Sequence, residues 1–535
     1  MVRFFLVFSI GLTLLLYGVK QLRVITPDSI PPLEQLAPQS EPIEAPRPTP
    51  GKSPEHAHAL PSVAPEAYQG NLSAGFQSLT HETVPTKLAI SGALPSWLTG
   101  SLIAVGSALF DIEGTSPKYW FEGLAMLHSF TFDDNNITYF NRFLPSTHYE
   151  KCIKKGKFIA TSATEQPKKS LFAKLSNAFA KPPIYDNCNA TLSLMNNELI
   201  AMTETPHAFS IDPHTLGIKG QHQFDITIAG HIMSPYPQYD TYTQKWYTYI
   251  TEFGNNSLYH FYSIDTHGAH HKIASLPAKN PAYMRSFGMT RQYLILIETP
   301  LVVNPFDLLF ATSGSFIEEF TWQPKRGTNF TVIHKQTGNV VGTYNSPAFF
   351  MFHTINAFEK DNTLVIDCIT YEDPSIIKTL QLATLRCNQP FIYPAAYPTS
   401  YVINLHNKTV SLHKLSNHIL EWPAINPQYA AKEYRYVYGL GAENEQFLYQ
   451  LIKIDKATEA VRIWQENGCY PGKPIFISAP SSKSEDDGIL LSIVLDSIHK
   501  VSFLLCLDAI TFKEYGRALL PHHIPLGLQG TFIAS

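Results

Sequence analysis

The sequence predicts an all-β protein, and two observations carry that expectation. Short runs rich in β-branched and aromatic residues recur along the chain: Trp246–Ile250, Leu258–Tyr262, Tyr293–Ile297, Thr363–Asp367, Ile489–Val494 and Phe503–Leu507. Such residues suit the half-buried surface of a pleated strand. Three connecting turns also share one chemistry: Ile211-Asp-Pro-His-Thr215, Ile454-Asp-Lys-Ala-Thr458 and Leu507-Asp-Ala-Ile-Thr511. An aspartate there accepts from backbone amides two residues on and closes a hairpin. Recurrent hairpin units of one kind suggest a β-propeller, where radial closure protects strand edges. A pair of β-sandwiches fits the same spacing.

The chain starts with Arg3, an apolar run from Phe4 to Val19, and then Lys20 and Arg23. No small-residue cleavage site follows, so residues 1–23 read as a membrane anchor. If the segment is instead a cleaved signal, the rest is exported to a periplasmic or extracellular space. Cations on both sides leave the orientation open. Residues 24–69 are proline-rich, with Pro46-Arg-Pro-Thr-Pro50 at their centre, and read as an extended linker without a core. Residues 70–535 form the expected folded unit.

Within that unit two segments break the β pattern. In Lys168–Lys181 the residues Leu171, Phe172, Leu175 and Phe179 share one helical face among lysines. Such a basic amphipathic helix either lies in a membrane interface or packs on the propeller surface. Residues 301–310 (Leu-Val-Val-Asn-Pro-Phe-Asp-Leu-Leu-Phe) are apolar and read as a second part of a membrane-docking patch. With 12% aromatic and 16% charged residues, the chain suits a large buried core. A net charge of -4 gives nucleic acid no hold. The six cysteines form no CxxC pair, so they read as core thiols, not a zinc site. No Walker loop, HExxH or GxSxG motif is present.

Several motifs resemble the carotenoid cleavage oxygenase family in order and spacing. They are Pro95-Ser-Trp-Leu-Thr-Gly100, Trp120-Phe-Glu-Gly123 with Met126-Leu-His128, Asn141-Arg-Phe143, Phe352-His353, Tyr434-Arg-Tyr-Val-Tyr-Gly439, Pro474-Ile-Phe476 and Glu485-Asp-Asp-Gly488. Glu122 replaces the family's aspartate. The resemblance implies a seven-bladed propeller with a loop and helix cap, a hydrophobic tunnel, and one iron(II) on the axis held by four histidines. Three of those histidines donate their outer N–H to glutamates, which fixes each ring.

The family's iron-ligand positions fall here on Tyr236, Arg285, His353 and Gln529, so one histidine of four is retained. The nearby His231 is five residues before Tyr236 and out of register. The glutamate positions fall on Glu204, Glu421 and Lys473. In place of a dication and three carboxylates, two fixed cations face two carboxylates. A guanidinium is effectively always protonated, and an imidazole, a phenol and an amide are a poor set for iron(II). The expected pairing is Arg285 with Glu204.

These readings lead to a carotenoid-oxygenase-like protein, most simply a non-catalytic binder of an apolar polyene or isoprenoid, with no cofactor expected. The alternative is an active iron(II) dioxygenase that cleaves a carotenoid, apocarotenoid or stilbene-like double bond, with His353 as a metal ligand. No residue is assigned a catalytic role.

Overall fold

The computed structural model describes residues 70–159, 185–222, 224, 230–308, 315–387 and 391–535. The anchor (1–23), the linker (24–69) and the Lys168–Lys181 segment lie outside the described residues.

Seven antiparallel sheets succeed one another along the chain, and each is a blade. The first contains Gly100–Leu109, Leu124–Asp133 and Asn136–Phe143. The second runs Thr191–Met195 to Ile218–His222, and the third Ile232–Met233 to His270–Ala278. The fourth runs Gly288–Met289 to Val340–Ser346, and the fifth Thr354–Lys360 to Thr409–Lys414. The sixth runs Glu421–Ala424 to Val461–Trp464, and the last Cys469–Pro471 to Glu514–Leu519. Every strand run read from the sequence lies inside one of the observed strands.

The aspartate turns recur at the outer hairpin of their blades. Asp212 Oδ1 accepts from the His214 and Thr215 amides at 2.9 and 3.0 Å. Asp455 accepts from Ala457 N and from the Thr458 hydroxyl. Asp508 accepts from Thr511 through both backbone and hydroxyl.

Both ends of the folded unit close the ring. Gln529–Ala534 is the innermost strand of the first blade, with Val105 opposite Gln529 and Gly100 opposite Ala534. Ala89–Gly92 adds to the outer edge of the last blade, with Ala89 opposite Leu519. The two ends thus exchange strands, and neither blade is complete without both. This arrangement removes the free edges that a propeller would otherwise expose.

One glycine on the closing segment has a strict requirement. Gly527 has φ +97°, and an added Cβ would lie 2.2 Å from the Trp120 ring. Trp120 is held to the same segment, its Nε1 donating to Leu526 O at 3.1 Å. Gly527→Ala should therefore lower stability by about 2–4 kcal/mol, read as a shift in the urea midpoint. An unchanged midpoint would mean that the ring moves aside freely.

The described part of the 301–310 run begins in the core and ends at the surface. Leu301, Val302 and Val303 are buried, with Leu301–Val302 paired to Thr321–Trp322. Of its described residues only Phe306 is a large exposed apolar side chain, at 52%. The run is thus divided: its first three residues face the core, and none of Asn304–Leu308 is buried.

Candidate functional site at the propeller axis

The seven residues singled out from the sequence come one from each blade. Tyr236, Arg285, His353, Glu421, Lys473 and Gln529 lie at or next to the innermost strands of six blades, and Glu204 lies in a turn of the remaining one. Innermost strands line the central channel of a propeller, so these side chains converge on the axis. Serines stitch neighbouring inner strands together. Ser234 Oγ donates to Arg285 O at 2.7 Å, and Ser286 Oγ to Phe352 O at 3.0 Å. Ser286 Oγ in turn accepts from Thr354 N at 2.9 Å, which fixes the backbone on both sides of His353.

Five of the seven form one connected chain. Arg285 Nε lies 2.8 Å from Glu204 Oε1, an ion pair, and Tyr283 Oη donates to the same carboxylate at 3.2 Å. Arg285 Nη2 donates to Tyr236 Oη at 3.3 Å. Tyr236 Oη lies 3.5 Å from His353 Nε2, with the two rings edge to face. His353 Nδ1 lies 2.7 Å from Glu421 Oε2. Glu421 also accepts from Tyr371 Oη at 3.1 Å and from Trp422 N at 2.6 Å. The remaining two form a separate pair, with Lys473 Nζ donating to Gln529 Oε1 at 3.0 Å. His231 takes no part: its Nδ1 accepts from Phe253 N at 3.1 Å.

The electrostatics fix the protonation states. Burial lowers the His353 pKa, against the pull of Glu421 and with help from the charges of Arg285 and Lys473. The imidazole is therefore neutral, with its proton on Nδ1 toward Glu421 and its Nε2 lone pair toward Tyr236. Burial on its own raises the Glu421 carboxyl, but His353, the Trp422 amide and the Tyr371 hydroxyl outweigh it and leave the pKa lowered. Burial raises the Tyr236 phenol against the opposing charge of Arg285, so it stays protonated. Burial works against the Arg285 charge, but the carboxylates of Glu204 and Glu421 hold it cationic. Burial brings the Lys473 ammonium down to about 8, with Glu421 opposing.

Tyr283, Tyr371 and Trp422 complete the site and were not singled out from sequence. Only the first carries a signal, two residues before Arg285 and so on the same side of an extended segment. Trp422 has φ +55°, a strained conformation for a bulky residue, and it aims its N–H back at Glu421. Its ring lies between His353 and Trp120, with centroids 6.0 Å from each. Trp120 continues to Phe76 and Phe447, so an aromatic wall leads away from the axis.

This residue set does not fit an iron(II) centre. The free imidazole lone pair faces a phenol that is held by a guanidinium, and the Gln529 oxygen is taken by Lys473. Among the described residues no group of three or more His, Cys, Asp or Glu is placed to hold a metal ion.

The family described as retinal pigment epithelial membrane protein matches residues 76–534. The mitochondrial carotenoid-cleaving dioxygenase of Mustela putorius furo is 30% identical, over 83% of this chain and 93% of that protein. The beta,beta-carotene 15,15'-dioxygenase of Gallus gallus is 28% identical, over 84% and 95%. Among solved structures, the cobalt-substituted apocarotenoid oxygenase of Synechocystis superposes with a TM-score of 0.77 at 22% identity, covering 87% of this chain and 98% of that one. The seven-bladed propeller fold is thus shared with that structure. The chain belongs to the carotenoid cleavage oxygenase family.

Proposed function

We propose that this protein binds a long apolar polyene or related isoprenoid and leaves its double bonds uncut. The observation that carries this reading is the Arg285–Glu204 ion pair beside Tyr236 on the axis. A fixed guanidinium there repels a dication, and no side chain can supply the redox chemistry that dioxygen needs. The aromatic wall beside His353 suits a conjugated chain, whose burial contributes about 25 cal/mol per Å². The apolar run near the N-terminus suits loading such a ligand from a membrane.

A second reading, an iron(II) dioxygenase acting on a carotenoid or apocarotenoid, is favoured by what the relatives are named to do. One experiment separates the two. Purified protein is incubated aerobically with iron(II) and β-carotene or an apocarotenal, and the solvent extract is chromatographed. The first reading expects the polyene recovered intact, at a saturable stoichiometry. Aldehyde fragments appearing with turnover would establish the second.

A further inference from the structure

Among the described residues, four lysines that are buried or half-buried differ in one respect. Lys335 Nζ lies 2.9 Å from Asp240, Lys453 Nζ 2.7 Å from Asp486, and Lys456 Nζ 2.7 Å from Asp367. Each of those cations is closed off by a carboxylate in contact. Lys473 faces a neutral amide oxygen, Gln529 Oε1, and among the described residues no carboxylate lies within ion-pairing distance of it. Gly472 and the prolines Pro471 and Pro474 flank it, so its own segment offers no polar side chain to pair with it. An apolar crevice between the first and last blades is lined by Leu102, Ile475, Leu491, Leu526 and Leu528 together with Lys473. The side chain is half-buried inside the ring, and free amine is available near neutral pH.

A half-buried primary amine with no carboxylate in contact, beside an apolar crevice, is the arrangement that captures carbonyl compounds. We propose that Lys473 holds a polyene aldehyde covalently, as an imine, at the propeller axis. This rests on the reading of the protein as a polyene binder and adds the chemical class of the ligand's end group.

The chemistry balances without any redox partner. The Nζ lone pair attacks the aldehyde carbon, and the carbinolamine loses water as the C=N bond replaces C=O. Protonation of the imine regenerates the cation that Lys473 already is. The carboxylate whose charge acts on Lys473 is that of Glu421, so the iminium keeps the same counter-charge. Gln529 Oε1, now the acceptor for the ammonium, serves the iminium N–H in the same way.

The test uses the full chain with all-trans-retinal as probe and all-trans-retinol as the control that cannot form an imine. Retinal is added, borohydride reduces any imine to a stable amine, and peptides are analysed by mass spectrometry. A stoichiometric adduct on Lys473, falling at least tenfold in Lys473→Arg, is the result expected. Retinol binding to the unsubstituted protein, followed by tryptophan quenching, reports occupancy of the site without an imine. Circular dichroism and melting of Lys473→Arg and Lys473→Met check that loss of the adduct is not loss of the fold. If retinol binds and no adduct forms on Lys473, the imine is overturned while the binding reading stands. If neither probe binds, both fall.

Discussion

Protein purified from iron-rich medium should carry under roughly a tenth of an equivalent of iron(II), whereas a fourfold variant should carry close to a full one. The variant combines Tyr236→His, Arg285→His, Lys473→Glu and Gln529→His. It supplies four imidazoles where His353 now stands alone, and it removes both axial cations. Two supporting carboxylates are already in place. Glu421 holds His353 at 2.7 Å, and loss of the guanidinium frees Glu204 to accept from an imidazole at position 285. Arg285→His alone should gain little, because Gln529 and Lys473 remain paired and the phenol still faces His353. Plasma emission spectrometry measures the metal directly. Binding should also stabilise the fourfold variant, by about 2.7 kcal/mol at a hundredfold excess of free iron over its dissociation constant. An unsubstituted protein carrying a full equivalent would end the reading of the axis as a metal-free ion-pair network.

The strands were legible because the pleat itself selects β-branched and aromatic side chains, as at Lys245–Glu252 around Trp246–Ile250. The aspartate turns were legible only in part. Asp265 accepts from the His267 and Ala269 amides, and Asn404 from those of His406 and Asn407, at the same outer hairpin of two other blades. Both share the frame of Ile211-Asp-Pro-His214, as Ile264-Asp-Thr-His267 and Ile403-Asn-Leu-His406, so the signal was present in the sequence there too. The number of blades was not in the spacing at all. Strands from the two ends of the folded unit are built into each other's blades, which no local window can show. It came from the family resemblance.

The axial site was legible for the same reason. Glu204 and Arg285 sit on different blades, and only a shared template could put them on one axis before the 2.8 Å pair was seen. Charge pairs without a template stayed hidden. Asp486 reads as one more turn residue in Glu485-Asp-Asp-Gly488, yet it is buried against Lys453. The tyrosines on Glu204 and Glu421 are the same kind of case. A phenol in a β-run looks like ordinary core until its hydroxyl is followed to a carboxylate.

Acid should unfold this protein unusually early, because several of its histidines are buried neutral. His128 has no exposed surface, and burial with some help from His522 brings its pKa down to about 3. Its Nδ1 lies 2.9 Å from Tyr139 Oη, which also reaches His522 Nε2 at 3.3 Å. His148 falls to about 4, again through burial, with Asp186 opposing and Lys151 assisting. His353 and His522 are lowered in the same direction. Each folded pKa lies below the unfolded value of about 6.5. Their contribution is therefore complete above pH 6.5 and is lost as the unfolded chain takes up protons that the native state refuses. At up to about 1.36 kcal/mol per pH unit for each, with the unfolded imidazole already half protonated at pH 6.5, His128 and His148 together remove roughly 4 kcal/mol between pH 6.5 and 4.5. That is comparable to the whole stability of many domains. Denaturant unfolding at the two pH values measures the loss, and His128→Gln should reduce it by about half. A free energy of unfolding that stays level over this range would mean that these imidazoles reach solvent, and the packing described around them would be wrong.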